Sequence, residues 1–453
     1  MSASGDSQQG LPLGLEHLYL DFDGFFASAE QTFNPGLRGK PVGVVPLDVP
    51  GTGCIALSRE AKALGVPSGA SIADARAARP DIVLVVARPD AYVRLHHRIL
   101  AVIDDVLPIG KVRSIDEMMC PVPPERQDDP ARLAHAIKRA LAREFGPALT
   151  CSIGVAQTEL LAKIAAERDK PDGFTVLPPG RALATIADIE LTKVPGISKG
   201  ISARLEKAGI ADFSALYAMD RKHMRALWGS IEGERFWNAL HGYPYERPAT
   251  TKRMFGHSRM LPPDWRTPEM IAQCARQLLM SAARRLRRSD LAATRITMSA
   301  RGGGYRNGVQ YRTDNRRWSR ELAIAPARDD LTLQRELRRL LAIFGEEVRF
   351  KPRSISVTLH GLVDADAPQG DLFAGLEETG TGGGTPGRRR GEKLSAVLDS
   401  LRERHGAAAA SLGPVVSVPG GYLGGKIAFG RIPELSDFTE CATEDGDTHF
   451  ATV

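Results

Sequence analysis

The stretch LYLDFDGFFAS, residues 18–28, is the segment that most constrains the fold of this chain. Three apolar residues lead directly into two carboxylates, Asp21 and Asp23, and two adjacent aromatic residues follow. The apolar run predicts a strand over residues 17–22, and the residues after it predict a helix over 26–33. A carboxylate at the end of a strand is a common way to hold a divalent cation beside a phosphate.

A second acidic segment, SIDE at residues 114–117, lies within another apolar-rich stretch. Two short strands are predicted over residues 112–120, and they meet at the acidic pair. Nucleotidyl transfer uses two cations, one that activates an attacking 3′-hydroxyl and one that neutralises the triphosphate. We therefore predict a catalytic site for two Mg²⁺ ions. The predicted ligands are the carboxylates of Asp21, Asp116 and Glu117 and the backbone carbonyl of Phe22.

Each acidic motif also has an ordinary structural interpretation. Asp21 and Asp23 could cap the N-terminus of a helix, and Asp116-Glu117 could form a solvated hairpin turn. Either motif alone favours that interpretation, because short motifs often occur by chance. Two such motifs, each associated with a strand, together favour the metal site.

The distribution of charge indicates a polyanionic partner. The chain has 453 residues, enough for about three domains, and a formal net charge of +6. Residues 251–360 contain 23 Lys and Arg against 10 Asp and Glu, an excess of +13, so the remainder carries about −7. One strongly basic module on a mildly acidic protein suggests nucleic acid.

Cysteine usage and hydropathy indicate the compartment. The five cysteines are widely spaced, odd in number and without a C-x-x-C pair, which argues against a disulfide framework or zinc site. The sequence shows no signal peptide and no apolar run of membrane-spanning length. We therefore expect a cytoplasmic, nucleoid-associated protein with no membrane partner.

The pattern of elements changes along the chain. Alternating strands and helices up to residue 180 indicate an α/β or α+β core. Residues 181–250 show only short helices, and residues 252–363 combine helices with alternating strands, which suits a small α+β module. Residues 374–391 are rich in Gly, Thr and Arg and predict a flexible linker. Apolar residues at helical spacing then predict one amphipathic helix over residues 392–405.

Several motifs in order resemble those of a Y-family (translesion) DNA polymerase of the DinB/UmuC group. They are the opening run at 21–42 with RGKPV at its end, REAKALGV at 59–66, SIDE at 114–117, and the stretch 154–173 with LLAKIA and KPDG. The similarity covers about residues 17–363. It implies low-fidelity, template-directed transfer of deoxynucleotides from dNTPs to a primer 3′-hydroxyl, by a monomer that binds primer-template DNA.

The resemblance also implies an α+β multidomain, right-hand architecture. The palm has an antiparallel-rich sheet with helices, the fingers and thumb are small, and the α+β little finger grips DNA. The expected boundaries are a disordered N-terminus at 1–16, palm at 17–26 and 80–180, fingers at 27–79, helical thumb at 181–250, little finger at 252–363, clamp-binding peptide and linker at 364–391, and a tail with one short helix at 392–453.

The resemblance assigns five residues to the incoming nucleotide. These are Phe25, Phe26, Arg59, Lys62 and Lys170. In the family, the aromatic residue matching Phe26 lies under the sugar, where a flat ring excludes a 2′-hydroxyl. Phe25 suits an ordinary core position better. Lys170 is assigned to the phosphates, although a cation at a helix C-terminus is the alternative.

The phosphate contacts depart from the family pattern. Where the family has Thr, Tyr and Arg in the fingers, this chain has Ala56, Arg59 and Lys62. Arginine can bind phosphate bidentately and lysine as a point charge, so we expect phosphate binding in an altered form. A solvated helix charge is an equally good interpretation of Arg59. The family's Asn-Lys before the LLAKIA helix is Thr158-Glu159 here, which removes a positive charge.

Two elements are assigned to DNA. The segment VPGISKG at 194–200 resembles a helix-hairpin-helix, whose glycine turn brings backbone amides to a DNA phosphate. Arginines interleaved with aromatic residues in the basic module predict a surface directed at DNA shape. The predicted DNA-binding residues are Gly196, Lys199, Gly200, Arg316 and Arg317. An ordinary glycine turn and solubilising arginines are the structural alternatives.

The peptide QGDLF at 369–373 resembles the bacterial sliding-clamp binding motif. Its predicted contact residues are Gln369, Asp371, Leu372 and Phe373. An apolar pair can fill a pocket on the clamp, and a flexible tether raises its effective concentration. Local packing is the alternative, but a Gly-flanked segment offers little core to join.

Two rival functions belong to other classes. A catalytically weak or silent family member could act as an adaptor that binds DNA and the clamp in a mutagenesis complex, but such proteins typically lack the acids that this chain keeps. A nucleotide cyclase shares palm-like acids, but it would not use a helix-hairpin-helix, a basic module or a clamp peptide.

Overall fold

The computed structural model describes residues 13–46, 48, 52–247, 251–302, 305–306, 309–310, 316–365, 385–405, 410–413 and 432. The clamp-type peptide predicted at 369–373 lies outside these residues. The chain divides into two compact units, an N-terminal unit up to Ala249 and a C-terminal unit from Thr250. Among the described helices, none is long and apolar enough to cross a membrane.

The N-terminal unit alternates strands and helices before a purely helical stretch. Its strands are β1 His17–Phe22, β2 Val42–Val45, β3 Ala56–Leu57, β4 Val83–Val86, β5 Lys111–Val112, β6 Glu117–Pro121, β7 Cys151–Ala156 and β8 Phe174–Val176. Its helices are α1 Phe25–Phe33, α2 Arg59–Ala63, α3 Ile72–Ala78, α4 Pro89–Asp104, α5 Pro130–Phe145, α6 Glu159–Arg168, α7 Ala182–Ile186, α8 Lys199–Lys207, α9 Phe213–Tyr217, α10 Arg221–Trp228 and α11 Glu232–Leu240.

The main sheet of this unit has the strand order β5-β6-β1-β7-β8. Strand β1 is central and antiparallel to both neighbours, which is why its apolar residues Leu18 and Leu20 are fully buried. Helix α6 packs directly on the sheet at Gly154. A Cβ atom there would lie 2.0 Å from the carbonyl oxygen of Ala162, so only glycine allows this approach. The close contact fixes α6 beside β1.

A second, smaller sheet has the order β3-β2-β4. Strand β4 runs parallel to β2 because helix α3 returns the chain between them. The sequence placed residues 80–180 in the second part of the palm. The structure instead pairs β4, at Val83–Val86, with the strands of the predicted fingers segment.

Residues 181–247 form short helices with no strand among them, as the sequence predicted. The helices begin at side-chain caps. Ser198, Asp212 and Asp220 accept hydrogen bonds from backbone amides in the first turns of α8, α9 and α10. Their apolar faces join one core with α6.

The prediction of a disordered N-terminus over 1–16 is wrong for residues 13–16. The backbone amide of Leu13 donates to the carbonyl of Gly242 at 2.9 Å, and the Gln157 side chain donates to the carbonyl of Leu13 at 2.7 Å. These long-range bonds fix the segment, and nothing in the local composition indicates them. Residues 1–12 lie outside the described part of the chain.

The C-terminal unit is a sheet of order β13-β10-β14-β9 with helices packed on it. Its elements are β9 Met254–Met260, β10 Leu291–Gly302, β11 Tyr305–Arg306, β12 Val309–Gln310, β13 Arg317–Ala327, β14 Pro352–Asp364, α12 Pro268–Arg287, α13 Asp330–Glu347 and α14 Thr385–His405. All pairings in the four-stranded sheet are antiparallel.

Helix α14 begins at Thr385, inside the segment predicted as a linker, and is longer than the predicted short helix. It is fixed to the unit by polar contacts. Arg287 donates to both Asp330 and Asp399, at 2.6 and 2.7 Å, and the Ser395 hydroxyl accepts from the backbone amide of Asp330 at 2.9 Å. These contacts lie within the stretch predicted as a helix, and they attach it to α12 and to the start of α13.

The predicted α+β class is confirmed. The sequence missed β9 and β13. The middle of β9 consists of glycine and polar residues, and most side chains of β13 are exposed or half-buried. One face of the sheet packs on α12 and α13. The division into palm, fingers, thumb and little finger stays a prediction.

Candidate active site

The sheet brings the predicted acids together. Asp21 at the end of β1 lies directly opposite Glu117 at the start of β6. The backbone amide of Phe22 donates to the carbonyl of Asp116 at 2.9 Å, which places Asp116 at the same sheet end. Acids from two segments that are distant in sequence therefore converge at one end of the sheet.

Asp21 is buried, with 7% of its surface exposed. Its Oδ1 atom lies 2.7 Å from Nζ of Lys170. Burial raises the pKa of Asp21 well above its ordinary value, although the charge and hydrogen bond of Lys170 act in the opposite direction. Because burial disfavours the ionised carboxylate, a further positive charge beside Asp21 would stabilise it.

The other two acids are held by neighbouring side chains. The Ser114 hydroxyl donates to Asp116 at 2.5 Å, yet burial raises the pKa of Asp116. Lys163 of α6 forms an ion pair with Glu117. Burial of Glu117 acts against ionisation, but the hydrogen bond and charge of Lys163 prevail and lower the pKa of Glu117.

Asp23 has a structural role, unlike Asp21. Its carboxylate accepts hydrogen bonds from the hydroxyls of Thr150 and Ser152, at 3.0 and 2.9 Å, and from the backbone amide of Asp172 at 2.8 Å. The N-cap of α1 is Gly24, without a side-chain cap. The alternative that Asp21 and Asp23 cap this helix is therefore wrong.

A cavity of about 320 Å³ opens beside the acids. The predicted site residues in its wall are Asp21, Phe22, Phe25, Phe26, Lys62, Asp116 and Lys170, and Ala56 lines it too. Arg59 is exposed at the start of α2 and is not in this wall, so the structure does not bring it to the predicted nucleotide. Lys62 is the cation that α2 contributes.

The ring of Phe26 is supported from behind. It stacks on Tyr92 of α4, whose hydroxyl donates to the buried carboxylate of Glu30 at 2.8 Å. Arg88 binds the same carboxylate through two nitrogens, at 3.0 and 2.5 Å. The sequence analysis missed Tyr92, Glu30 and Arg88, because nothing local distinguishes them from helix residues.

The predicted DNA elements belong to both units. Gly196 has a φ of +96°, a left-handed conformation that favours glycine, and Lys199 and Gly200 are exposed at the start of α8. A groove of about 720 Å³ lies between this turn and α6. In the C-terminal unit, Arg316 and Arg317 are exposed at the start of β13.

The ligand atoms and present partners of the acids bear on the predicted Mg²⁺ site. Among the described residues, no three or more His, Cys, Asp and Glu side chains are already assembled around a metal position. Lysine ammonium groups instead lie against Asp21 and Glu117. The donor set is entirely oxygen, as Mg²⁺ prefers, and burial disfavours the bare charge of Asp21 and Asp116. The residues therefore fit a hard cation.

Comparison with protein families gives two matches. Residues 20–167 match the model described as the impB/mucB/samB family, and residues 252–372 match that family's C-terminal domain. The chain is 30% identical over 366 residues to a DNA polymerase IV of Halorhodospira halophila, covering 79% of this chain and 98% of that protein. It is 29% identical over 399 residues to a DNA polymerase IV of Moorella thermoacetica, covering 86% and 93%.

Solved structures share the fold. A Y-family DNA polymerase chimera of Dbh and Dpo4 aligns with a TM-score of 0.63 at 22% identity, covering 77% of this chain and 99% of that one. An insertion ternary complex of Dbh DNA polymerase aligns with a TM-score of 0.50 at 24% identity, with the same coverage.

Proposed function

This chain belongs to the impB/mucB/samB family and is a DinB-type, Y-family translesion DNA polymerase, and from that premise we propose that Asp21, Asp116 and Glu117 form its nucleotidyl-transfer centre. The convergence of these three buried or half-buried acids at one end of the main sheet carries the proposal. Asp21 comes from one predicted acidic motif, and Asp116 and Glu117 come from the other.

Two Mg²⁺ ions bound at these acids and at the Phe22 carbonyl would activate the primer 3′-hydroxyl and neutralise the triphosphate. The chain's own groups orient the acids. Ser114 holds Asp116, while Lys163 holds Glu117. Charged hydrogen bonds of this kind restrict a carboxylate to few orientations.

The cavity beside the acids is the proposed dNTP site. Lys170 and Lys62 supply positive charge for the phosphates, and Lys170 can exchange its contact with Asp21 for a phosphate oxygen. Phe26 forms the floor under the sugar, where its ring excludes a 2′-hydroxyl. Arg59 is not needed for this arrangement.

Primer-template DNA is the proposed macromolecular partner. The glycine turn at Gly196 and the exposed arginines 316 and 317 would contact its phosphates, which carry most of the affinity in such complexes. We further propose that a monomer engages the sliding clamp through residues 369–373. A silent adaptor is the second candidate, and the retained acids with their supporting side chains disfavour it.

Primer extension tests the proposed centre. Wild-type chain with Mg²⁺ and dNTPs should extend a primer, and Asp116→Asn together with Glu117→Gln should abolish extension while DNA affinity is kept. As a control, Asp105→Asn changes an exposed acid at the end of α4 and should leave the rate unchanged. Extension by the double variant at the wild-type rate would contradict the assignment, and no extension by wild type would favour the adaptor.

A further inference from the structure

The Thr158-Glu159 pair, which replaces the family's Asn-Lys, has specific partners in the structure. The Thr158 hydroxyl donates to the carbonyl of Ala239 at 2.6 Å and accepts from the amide of Leu161, so it caps α6 and ties it to α11. Glu159 forms a bidentate ion pair with Arg113. The negative charge introduced by Glu159 is therefore compensated.

Arg113 stands immediately before the acidic turn. Its backbone amide donates to the carbonyl of Glu117 at 2.9 Å, and the amide of Ser114 donates to the same oxygen at 3.1 Å. The turn therefore closes on itself from residue 113 to residue 117. The position of Arg113 is therefore coupled to the position of the turn that carries Asp116.

A second ion pair lies one helical turn away. Glu159 and Lys163 are four residues apart, so they lie on the same face of α6. Lys163 pairs with Glu117 at the far end of the acidic turn. Helix α6 thus contacts both ends of the turn. Glu159 binds Arg113 at one end, and Lys163 binds Glu117 at the other.

We propose that Arg113 and Glu159 are positioning residues of the polymerase reaction, whose bidentate ion pair holds the turn carrying Asp116 and Glu117 against helix α6. The inference rests on the proposed metal-binding role of these two acids. A planar, two-point contact fixes angle as well as distance, which a single lysine contact does not.

The Arg113–Glu159 pair is less exposed than another ion pair of the same unit. The side chains of Arg113 and Glu159 are 29% and 18% exposed, whereas pairs such as Arg98–Glu144 are 42% and 46% exposed. Exposed ion pairs contribute little to stability, and partly desolvated bidentate ones constrain geometry more strongly. Arg98–Glu144 also joins two different elements of this unit, so it is a matched control.

Charge exchange in the full-length chain tests the proposal. Steady-state primer extension with Mg²⁺ would give kcat and KM for dNTP, alongside the Kd for primer-template DNA and the Tm. Arg113→Glu or Glu159→Arg alone should lower kcat about tenfold or more, because each places like charges in contact. The double exchange should bring kcat back to within about threefold of wild type.

Variants that do not reverse a charge test the proposal even if the charge-reversal variants fail to fold. Glu159→Gln keeps the shape and removes the charge, and it should lower kcat with little change in Tm or DNA affinity. Glu144→Gln should leave kcat unchanged. An unchanged kcat in Glu159→Gln, a double exchange that restores Tm but not kcat, or an effect confined to the Kd for DNA would each overturn the proposal.

Asp116→Asn in the same assay separates the two claims. If Asp116→Asn remains active, the proposed metal centre fails, whatever the ion-pair variants do. If Asp116→Asn is inactive and the ion-pair variants behave as wild type, only the positioning role fails.

Discussion

The rings of Phe26 and Tyr92 stack with their centroids 4.7 Å apart and their planes 23° from parallel. The Tyr92 hydroxyl donates to Glu30, so in the proposed dNTP site this support would keep the Phe26 ring in place against a larger sugar. A gate works only if its support is rigid. The stack therefore gives the predicted sugar gate a physical basis.

Phe26→Ala should raise ribonucleotide incorporation, since removal of the ring opens space for the 2′-hydroxyl. We expect the ratio of kcat/KM for a dNTP to that for the matching rNTP to fall on the order of tenfold or more. Phe145→Leu is the control, because Phe145 is likewise 2% exposed but lies outside the cavity wall. An unchanged sugar preference in Phe26→Ala would count against the gate.

Lys170→Gln should weaken dNTP binding. The cavity wall loses its cation nearest to Asp21, so we expect KM for dNTP to rise about tenfold, with a smaller change in kcat. Lys40→Gln removes an exposed lysine outside the cavity wall and should leave KM unchanged. Equal KM values for Lys170→Gln and wild type would refute the phosphate role.

Asp21→Asn should lower activity, whereas Asp23→Asn should lower stability. Asp21→Asn removes a proposed metal ligand and should lower kcat at least about a hundredfold without loss of stability, because a buried charge is removed. Asp23→Asn places an amide against three donors and should cost about 1–3 kcal/mol of unfolding free energy, measured with urea. Full stability of Asp23→Asn, or near-normal activity of Asp21→Asn, would contradict this division of roles.

His96 should make the fold sensitive to acid. Its ring is fully buried, and its Nδ1 lies 2.8 Å from the carbonyl of Ile115. Burial lowers the pKa of His96 to about 4. Below pH 6.5 His96 therefore binds a proton in the unfolded chain, whereas in the folded chain it stays neutral until about pH 4. The contribution of His96 to the free energy of unfolding should therefore be greatest above pH 6.5 and fall by up to about 3 kcal/mol as the pH drops to 4.

Urea unfolding from pH 7 to pH 4 would measure this slope. His96→Gln should flatten the pH dependence, whereas His97→Gln should not, because His97 is exposed on the adjacent position of α4. The same slope in wild type and His96→Gln would show that other groups cause the acid sensitivity.

Leu372→Ala with Phe373→Ala should abolish stimulation by a bacterial sliding clamp. The pair supplies the apolar contacts of the proposed peptide, and the tether multiplies a weak affinity. Primer extension with and without the clamp is the measurement, and basal synthesis should be unaffected. Loss of basal synthesis would instead indicate that the pair packs within the protein.

Local patterns determined much of the outcome. An apolar run predicts the strand that ends at Asp21, and helical spacing predicts the stretch 160–168 of α6, because both depend on neighbouring residues alone. Motif order along the chain then predicted the acids and the polymerase family. Helix α14 begins at Thr385, inside the segment predicted as a linker, and nothing in the local composition of that segment indicates it.

The tertiary structure alone decided how the acidic residues differ. Asp21 and Asp23 have the same chemistry two positions apart, yet one faces Lys170 and Glu117 while the other accepts three structural hydrogen bonds. Arg113 and Glu159 are likewise unremarkable in sequence until α6 crosses the sheet at Gly154. Strand register and close helix packing bring such residues together, and because these depend on contacts between distant segments, the local sequence does not reveal them.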